Sequence, residues 1–264
     1  MRAVCYQLFN AKLIPDMSKA STNRVGTQLV WARKEGIIPW EWIVDETREA
    51  ERVSAWDDPA SFAETVQCAY RRDYWAAQAQ QGEVWSEKGT VRGTLAPILH
   101  KYGVTFRVMH GYSSATTVNA VAEETADMEH PLVVLYVGDH DPSGMHMSEA
   151  DLPARLDEYG ASVEVIRVAL TASHVKQGGL PSFKADTKAR DPRYQWFVKR
   201  YGRTCWELDA MDPPQLRDEV EEHILGLIDV EYWARCKRVE EAERESLVEV
   251  MRAWKETISM PASK

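Results

Sequence analysis

The sequence predicts an α/β fold built on a parallel sheet, and three observations carry that expectation. The runs EVW, VTFRVM, PLVVLYVG and SVEVIRVAL, between residues 83 and 170, have the β-branched and aromatic content of strands. Helix-like stretches of ten or more residues separate them, and such alternation is how crossover helices join parallel strands. The continuous apolar run VVLYV suits a strand covered on both faces.

In chain order, residues 1–44 read as a helix, a loop and a longer helix. Val4 and Leu8 begin the first, Pro15 and Asp16 break it, and a periodic stretch from Asn23 to Lys34 closes at Gly36. GIIPWEWIVDETRE has the make-up of a short strand or extended arm, with Asp45 and Thr47 placed to start the next turn. Helix, helix and short strand together resemble a winged helix. Residues 60–79 carry apolar side chains at helical spacing until QQG ends the run. Within the α/β part, helices are expected over about 90–101, 114–127 and 145–159, with Gly103 and Gly160 where caps belong. Past residue 190 the chain reads as mostly helical and ends in two amphipathic helices between Pro214 and about Glu256. The expected organisation is a winged-helix-like domain at 1–80, an α/β domain at 81–212 and C-terminal helices at 213–264.

With 264 residues, 44% of them hydrophobic and 28% charged, the chain can bury a sizeable core and is not of disordered type. No apolar stretch approaches the ~20 residues of a membrane span, and MRAVCYQLFNAKL lacks the apolar region and cleavage site of a signal peptide. The expectation is a cytoplasmic protein with no membrane partner. Cys5, Cys68, Cys205 and Cys236 form no CxxC pair, which argues against a zinc knuckle or disulfide framework and for reduced, mostly buried thiols. The net charge of −9 argues against coating nucleic acid by bulk electrostatics. Yet residues 1–40 carry a net +4 and residues 174–203 a net +6. Such stretches are either solvated faces or phosphate-binding surface.

Open α/β sheets hold ligands beyond the carboxyl ends of their strands, and the candidate chemistry gathers there. EVWSEK puts Glu87 at the tip of the first strand, and VVLYVGDHDPSG puts Asp139 and Asp141 just past a buried one. Alternate residues of an extended segment share a side, so both aspartates can face one point. Crowded carboxylates repel, and a hard, oxygen-preferring cation such as Mg²⁺ relieves that repulsion. Pro142 and Gly144 force a tight turn, while Ser143 and the amides opening the next helix suit a phosphate. Alone, a DxD after a strand is more often an acidic turn; the order of strand-terminal Glu, βα unit, apolar strand, GDxDPxG and helix is more specific.

That order resembles the Toprim fold, and within it the A subunit of type IIB topoisomerases and the related meiotic double-strand-break transesterases. A Glu followed by Lys closes the first strand in that family, matching Glu87 and Lys88, and a DxDPxG closes a later one, matching Asp139, Asp141, Pro142 and Gly144. HGYSSATT, around Gly111 and Tyr112, occupies the place of the family's glycine turn. The resemblance covers residues 82–170 and reaches RAVCYQL, where Arg2 and Tyr6 match an Arg-x-x-aromatic-Tyr setting. It implies Tyr6 as nucleophile, Arg2 as phosphate clamp, Glu87 as a further catalytic acid, and Glu87, Asp139 and Asp141 as Mg²⁺ ligands. It also implies DNA as partner, a homodimer and a separate ATPase subunit. Cys5 departs from the family's aromatic, and the first winged-helix element is missing or lies before the given start. The other reading of Tyr6 is a helix residue packing on Trp31.

ARKEGIIPWEWIVDETRE and LPSFKADTKARDPRYQWFVKRYGRTCWELDAMDP also look similar to bacterial and phage-type proteins that carry a small Toprim-like module. In the second run Tyr194, Trp196, Phe197 and Tyr201 interleave with cations, a mixture suited to gripping nucleic acid or to core packing. The candidate nucleic-acid contacts are Lys88, Ser143, Lys184, Lys188, Arg190, Arg193, Lys199 and Arg200. Asp45 and Arg48 read as a structural pair or a DNA contact, Glu207 and Asp209 as the start of a helix rather than a second metal site, and His140 and His146, flanking the acidic turn, as groups that tune it or bind metal or, more commonly, as partly exposed histidines. The sequence holds no P-loop, no GxGxxG opening a helix and no GxSxG. Three functions remain: a transesterase using Tyr6, a metal-dependent nuclease using water, and a non-catalytic nucleic-acid-binding or regulatory protein.

Overall fold

The computed structural model describes residues 2–42, 53–109, 115–126 and 128–259. Asp45, Thr47, Arg48, Gly111 and Tyr112 lie outside them. The chain forms two compact units, residues 1–48 with 80–226 and residues 49–79 with 227–264. Neither is continuous, so the expected segments 1–80 and 213–264 are each divided between the two.

The first unit is α/β. Its sheet has four strands, β1 (Gln81–Ser86), β2 (Thr105–Val108), β3 (Leu132–Val137) and β4 (Val163–Ala169), in the order β2-β1-β3-β4. All pairs are parallel. Every residue of β3 is buried, which is what a central strand covered on both faces requires. Helices α4 (Val91–Tyr102) and α5 (Ala115–Ala126) make the first two crossovers. The third runs through α6 (Pro142–His146), one π-helical turn (Met147–Asp151) and α7 (Leu152–Glu158). Gly103 ends α4 in the left-handed conformation, at φ 62°, where a Cβ would be strained. Trp85, Tyr136, Met109 and Leu152 lead the main core.

At the start of this unit, α1 (Arg2–Asn10) and α2 (Lys19–Lys34) match the expected helix, loop and longer helix. Ser18 caps α2 by accepting from the Ser21 amide. The strand expected in GIIPWEWIV is absent among the described residues, where Trp40–Trp42 form a 3₁₀ turn. After β4 come α8 (Ala172–Gln177), a small antiparallel pair of β5 (Ser182–Lys184) and β6 (Thr204–Trp206), and between those strands α9 (Tyr194–Tyr201). Past residue 190 the described chain is mostly helical, as expected, with the short strand β6 as the exception. Tyr194 and Phe197 fill a second core with Met145 and Cys205, and Trp196 and Tyr201 pack against it, so all four named aromatics of the basic run are packing residues. The unit ends with α10 (Pro213–Gly226), packed on α4 and β4.

The second unit pairs α3 (Pro59–Ala69) with α11 (Val230–Ser259). Asp58 caps α3 through the Ser61 amide with Pro59 in the first turn. The helix ends ten residues earlier than the spacing in 60–79 predicts, because Tyr70 turns to extended backbone. There the Tyr70 hydroxyl and Arg72 hydrogen-bond to Glu243 of α11. Tyr74 and Trp75 meet Trp233 edge-on, with ring centroids 4.6 and 6.0 Å away. Among the described residues no helix is long and apolar enough to cross a membrane.

Candidate functional site

β1 and β3 are neighbours in register, Ser86 opposite Val137, so the residues following each strand emerge side by side. Glu87 follows β1, and Gly138 to Asp141 follow β3. The motif GDHDPSG then explains itself residue by residue. Asp141 is the N-cap of α6, its Oδ1 accepting the Gly144 amide at 2.8 Å, and Pro142 takes the first helical position. A Cβ on Gly144 would lie 2.3 Å from the Asp139 carbonyl oxygen, and one on Gly138 would lie 2.7 Å from the Tyr136 ring. Both positions therefore need glycine for close approach.

Arg167 of β4, which nothing in the sequence singled out, holds this loop from beneath. It donates to the carbonyl oxygens of Gly138 (2.8 Å), Asp139 (2.6 Å), Gly144 (3.0 Å) and Leu170 (3.1 Å), and to Ser148 Oγ (2.7 Å). Its acceptors are uncharged, and burial lowers its pKa from the ordinary value. The same loop is stitched to β6 by the reciprocal amide bonds of His140 and Trp206, at 2.9 and 3.0 Å. The Leu208 amide donates to Asp139 Oδ1 at 2.7 Å. That stitching brings Glu207 and Asp209 to the site. They are not merely the start of a helix, because both face Lys88.

The acids and cations interlock. Lys88 Nζ lies 2.7 Å from Asp139, 3.3 Å from Glu207 and 3.1 Å from Asp209. Arg2 meets Glu207 at 2.5 Å from the opposite side. Lys188 pairs with Asp141 Oδ2, and Arg193 reaches Ser143 Oγ at 3.3 Å. Burial lowers the proton affinity of Lys88, but Asp139 and Asp209 outweigh it and its pKa ends above the ordinary value. Burial raises Asp139 above the usual carboxylate range. Glu87 is pushed up to about 7, first by burial and then by Asp139 and Asp141. The three nominated acids thus share one electrostatic environment.

Tyr6 is buried, with 6% of its surface exposed. It lies beside Arg2 and within electrostatic reach of Glu207 and Lys88; burial and then Glu207 raise its phenol above its ordinary value. Trp31 is exposed on α2. Lys184, Arg190, Lys199 and Arg200 lie on the exposed surface of the β5 to α9 segment, where Arg200 stacks over Trp196 at 4.6 Å. His140 is buried among Phe197, Tyr201 and Trp206, and burial lowers its pKa to about 4. It is therefore a neutral core residue. His146 packs edge-on against Trp196.

Comparison with family models, curated proteins and solved structures finds no match. The site is therefore read from its own geometry. Among the described residues no three His, Cys, Asp or Glu side chains are drawn together as a metal-binding group. Lysine ammonium groups instead supply the positive charge, Lys88 on Asp139 and Lys188 on Asp141. Two polar groups are left over. Among the described residues no donor reaches the Glu87 carboxylate. The Tyr136 hydroxyl is fully buried without a hydrogen-bond partner, and Glu87 is the charged group that acts on it most strongly. An unpaired buried hydroxyl costs about 1–3 kcal/mol. A hard cation with its water shell would answer both of these groups, while Asp139 and Asp141 already meet lysine ammonium groups.

Proposed function

We propose that this chain is a Toprim-like protein that breaks phosphodiester bonds in DNA, with Mg²⁺ held by Glu87, Asp139 and Asp141. The observation that carries the reading is that these acids emerge beyond the carboxyl ends of two adjacent parallel strands, where burial, and then Asp139 and Asp141, push Glu87 up to about 7. When bound, the cation neutralises a phosphate oxygen and stabilises the departing one. As its ligands, Glu87, Asp139 and Asp141 would act as ionised carboxylates, and the cation would remove the repulsion they exert on one another. Lys188, Arg193 and Ser143 form the cationic rim that receives the phosphate. Lys184, Arg190, Lys199 and Arg200 continue it along the duplex or strand. Helices α1 and α2 take the place of the winged-helix module. As in the family resembled, strand passage would need a separate ATPase subunit.

Tyr6 is the attacking group in this reading. Its Oη bonds to phosphorus as the bond from phosphorus to the sugar oxygen breaks; its own proton goes to Glu207 and the leaving oxygen takes one from solvent water. The position of Tyr6 beside Arg2, Glu207 and Lys88 favours this. Its burial and raised phenol pKa favour water as the attacker instead. Incubation of plasmid with protein and Mg²⁺ separates the two. Protein covalently joined to DNA ends, lost in Tyr6→Phe, supports the transesterase; cleavage that survives Tyr6→Phe but not Asp139→Ala supports the nuclease. Binding without cleavage would leave a regulatory protein, and neither binding nor cleavage would end the proposal.

A further inference from the structure

Helix α11 extends about 45 Å at 1.5 Å per residue, far longer than the eleven-residue α3 that it packs against. Much of its length carries an uncovered face. An open groove on that face is lined by Tyr70, Val239, Ala242, Ser246, Leu247 and Val250. Val239 and Val250 are 37% and 59% exposed. Arg235, Val239, Ala242 and Ser246 follow one another at steps of four, three and four, the spacing of a coiled-coil seam.

Beside that seam runs a charged ladder. Glu231, Arg238, Glu245 and Arg252 are all exposed, recur every seven residues and alternate in sign. Among the described residues Glu231, Arg238 and Glu245 make no side-chain ion pair, and Arg252 has only a 3.9 Å contact with equally exposed Glu249. We propose that this face joins two copies of the chain, with their α11 helices packed antiparallel about a two-fold axis near Glu241.

Charge complementarity chooses the orientation. In an antiparallel pair, residues on the same flank of the seam face each other across the axis. Setting Val239 against Ala242 of the second copy brings Arg238 to Glu245 and Glu231 to Arg252. Symmetry repeats both pairs, so four opposite-charge contacts flank one seam. The small side chains Ala242 and Ser246 allow close approach at its centre. A parallel pair would instead set Glu245 beside Val250 and Glu231 beside the buried Cys236, leaving both acids without a cation.

Sedimentation equilibrium of the full chain at micromolar concentration tests this. The expected species has twice the 30.1 kDa chain mass. Arg238→Glu and Glu245→Arg, each made alone, place like charges in contact twice and raise the dissociation constant at least about tenfold. The combined variant restores dimerisation, which also shows that neither change unfolds the helix. In a Cys68→Ser background, a Val239→Cys chain mixed with an Ala242→Cys chain forms a mixed disulfide. A monomer, a dimer indifferent to both single reversals, or cross-linking of Val239→Cys to itself would each overturn the proposal.

Discussion

Glu83 and Glu87 stand four residues apart along β1 and its tip, and the surroundings of the two carboxylates are opposite. Glu83 is buried, accepts Trp85 Nε1 at 2.6 Å and is held by two nitrogens of Arg107 at 3.1 and 3.2 Å. Arg107 goes on to Glu124 at 2.7 Å. Glu87 receives no donor among the described residues, and burial, then Asp139 and Asp141, act against its charge more strongly than Lys88 and Lys188 favour it. A satisfied buried acid belongs to the fold. An acid left in the field of like charges is kept at a cost to stability, which is the ordinary mark of a site. The sequence alone does not separate them, since each is a glutamate within or just after an apolar strand.

The largest expected effect breaks the comparison on the side of function. Asp139→Ala is expected to lower Mg²⁺-dependent plasmid cleavage by at least about a thousandfold while leaving the chain folded, the scale of losing several kcal/mol of transition-state stabilisation. Retained cleavage in that variant would remove the acids from the chemistry. On the side of stability, Glu83→Ala leaves Arg107 half-buried with Glu124 alone and is expected to lower unfolding free energy in urea by about 3 kcal/mol. Glu87→Ala should lower it far less, or raise it. Equal losses for the two would erase the distinction drawn between them.

A pH series sharpens the same contrast. Because Glu87 has a folded pKa raised to about 7, its folded form binds more protons than the unfolded one between about 4.5 and 7, so its penalty is absent in acid and grows as pH rises through that window. Wild type is expected to lose up to about 2 kcal/mol relative to Glu87→Gln between those limits, the partial exposure of the site discounting the full shift. Parallel stability curves for the two proteins would contradict the assignment. Saturating Mg²⁺ should reduce the difference.

Much of the first unit was legible. The four strands stood out by their β-branched and aromatic residues, β3 most clearly because a strand buried on both faces is written as a continuous apolar run, and Gly103 and Gly160 marked helix ends because only glycine takes a positive φ without strain. GDHDPSG was legible as a turn with paired acids. What the sequence hid were partners brought in from far along the chain. Arg167 reads as one polar residue in SVEVIRVAL, with nothing to say that it binds the loop after β3. Glu207 and Asp209 look local until the His140 and Trp206 amides tie β6 to that loop. The discontinuous units were hidden for the same reason, because the packing of α3 on α11 spans more than 160 residues of sequence.

The smallest expected effect probes the least conspicuous atom of the site. Tyr136 sits fully buried in β3 and its ring packs in the main core, so removing the hydroxyl leaves the packing intact. In the metal-free protein that hydroxyl has no hydrogen-bond partner, and Tyr136→Phe is expected to be neutral or to stabilise by about 1 kcal/mol, contrary to the usual cost of deleting a buried tyrosine hydroxyl. If the hydroxyl instead waits for a water held by a bound cation, the same variant should bind Mg²⁺ several-fold more weakly by calorimetry. The two measurements therefore move in opposite directions only when the unpaired hydroxyl and the acid beside it belong to one ion site. A Tyr136→Phe protein that is plainly destabilised without metal would show that the hydroxyl is already bonded, and would take away the argument that Glu87 and Tyr136 are jointly unfilled.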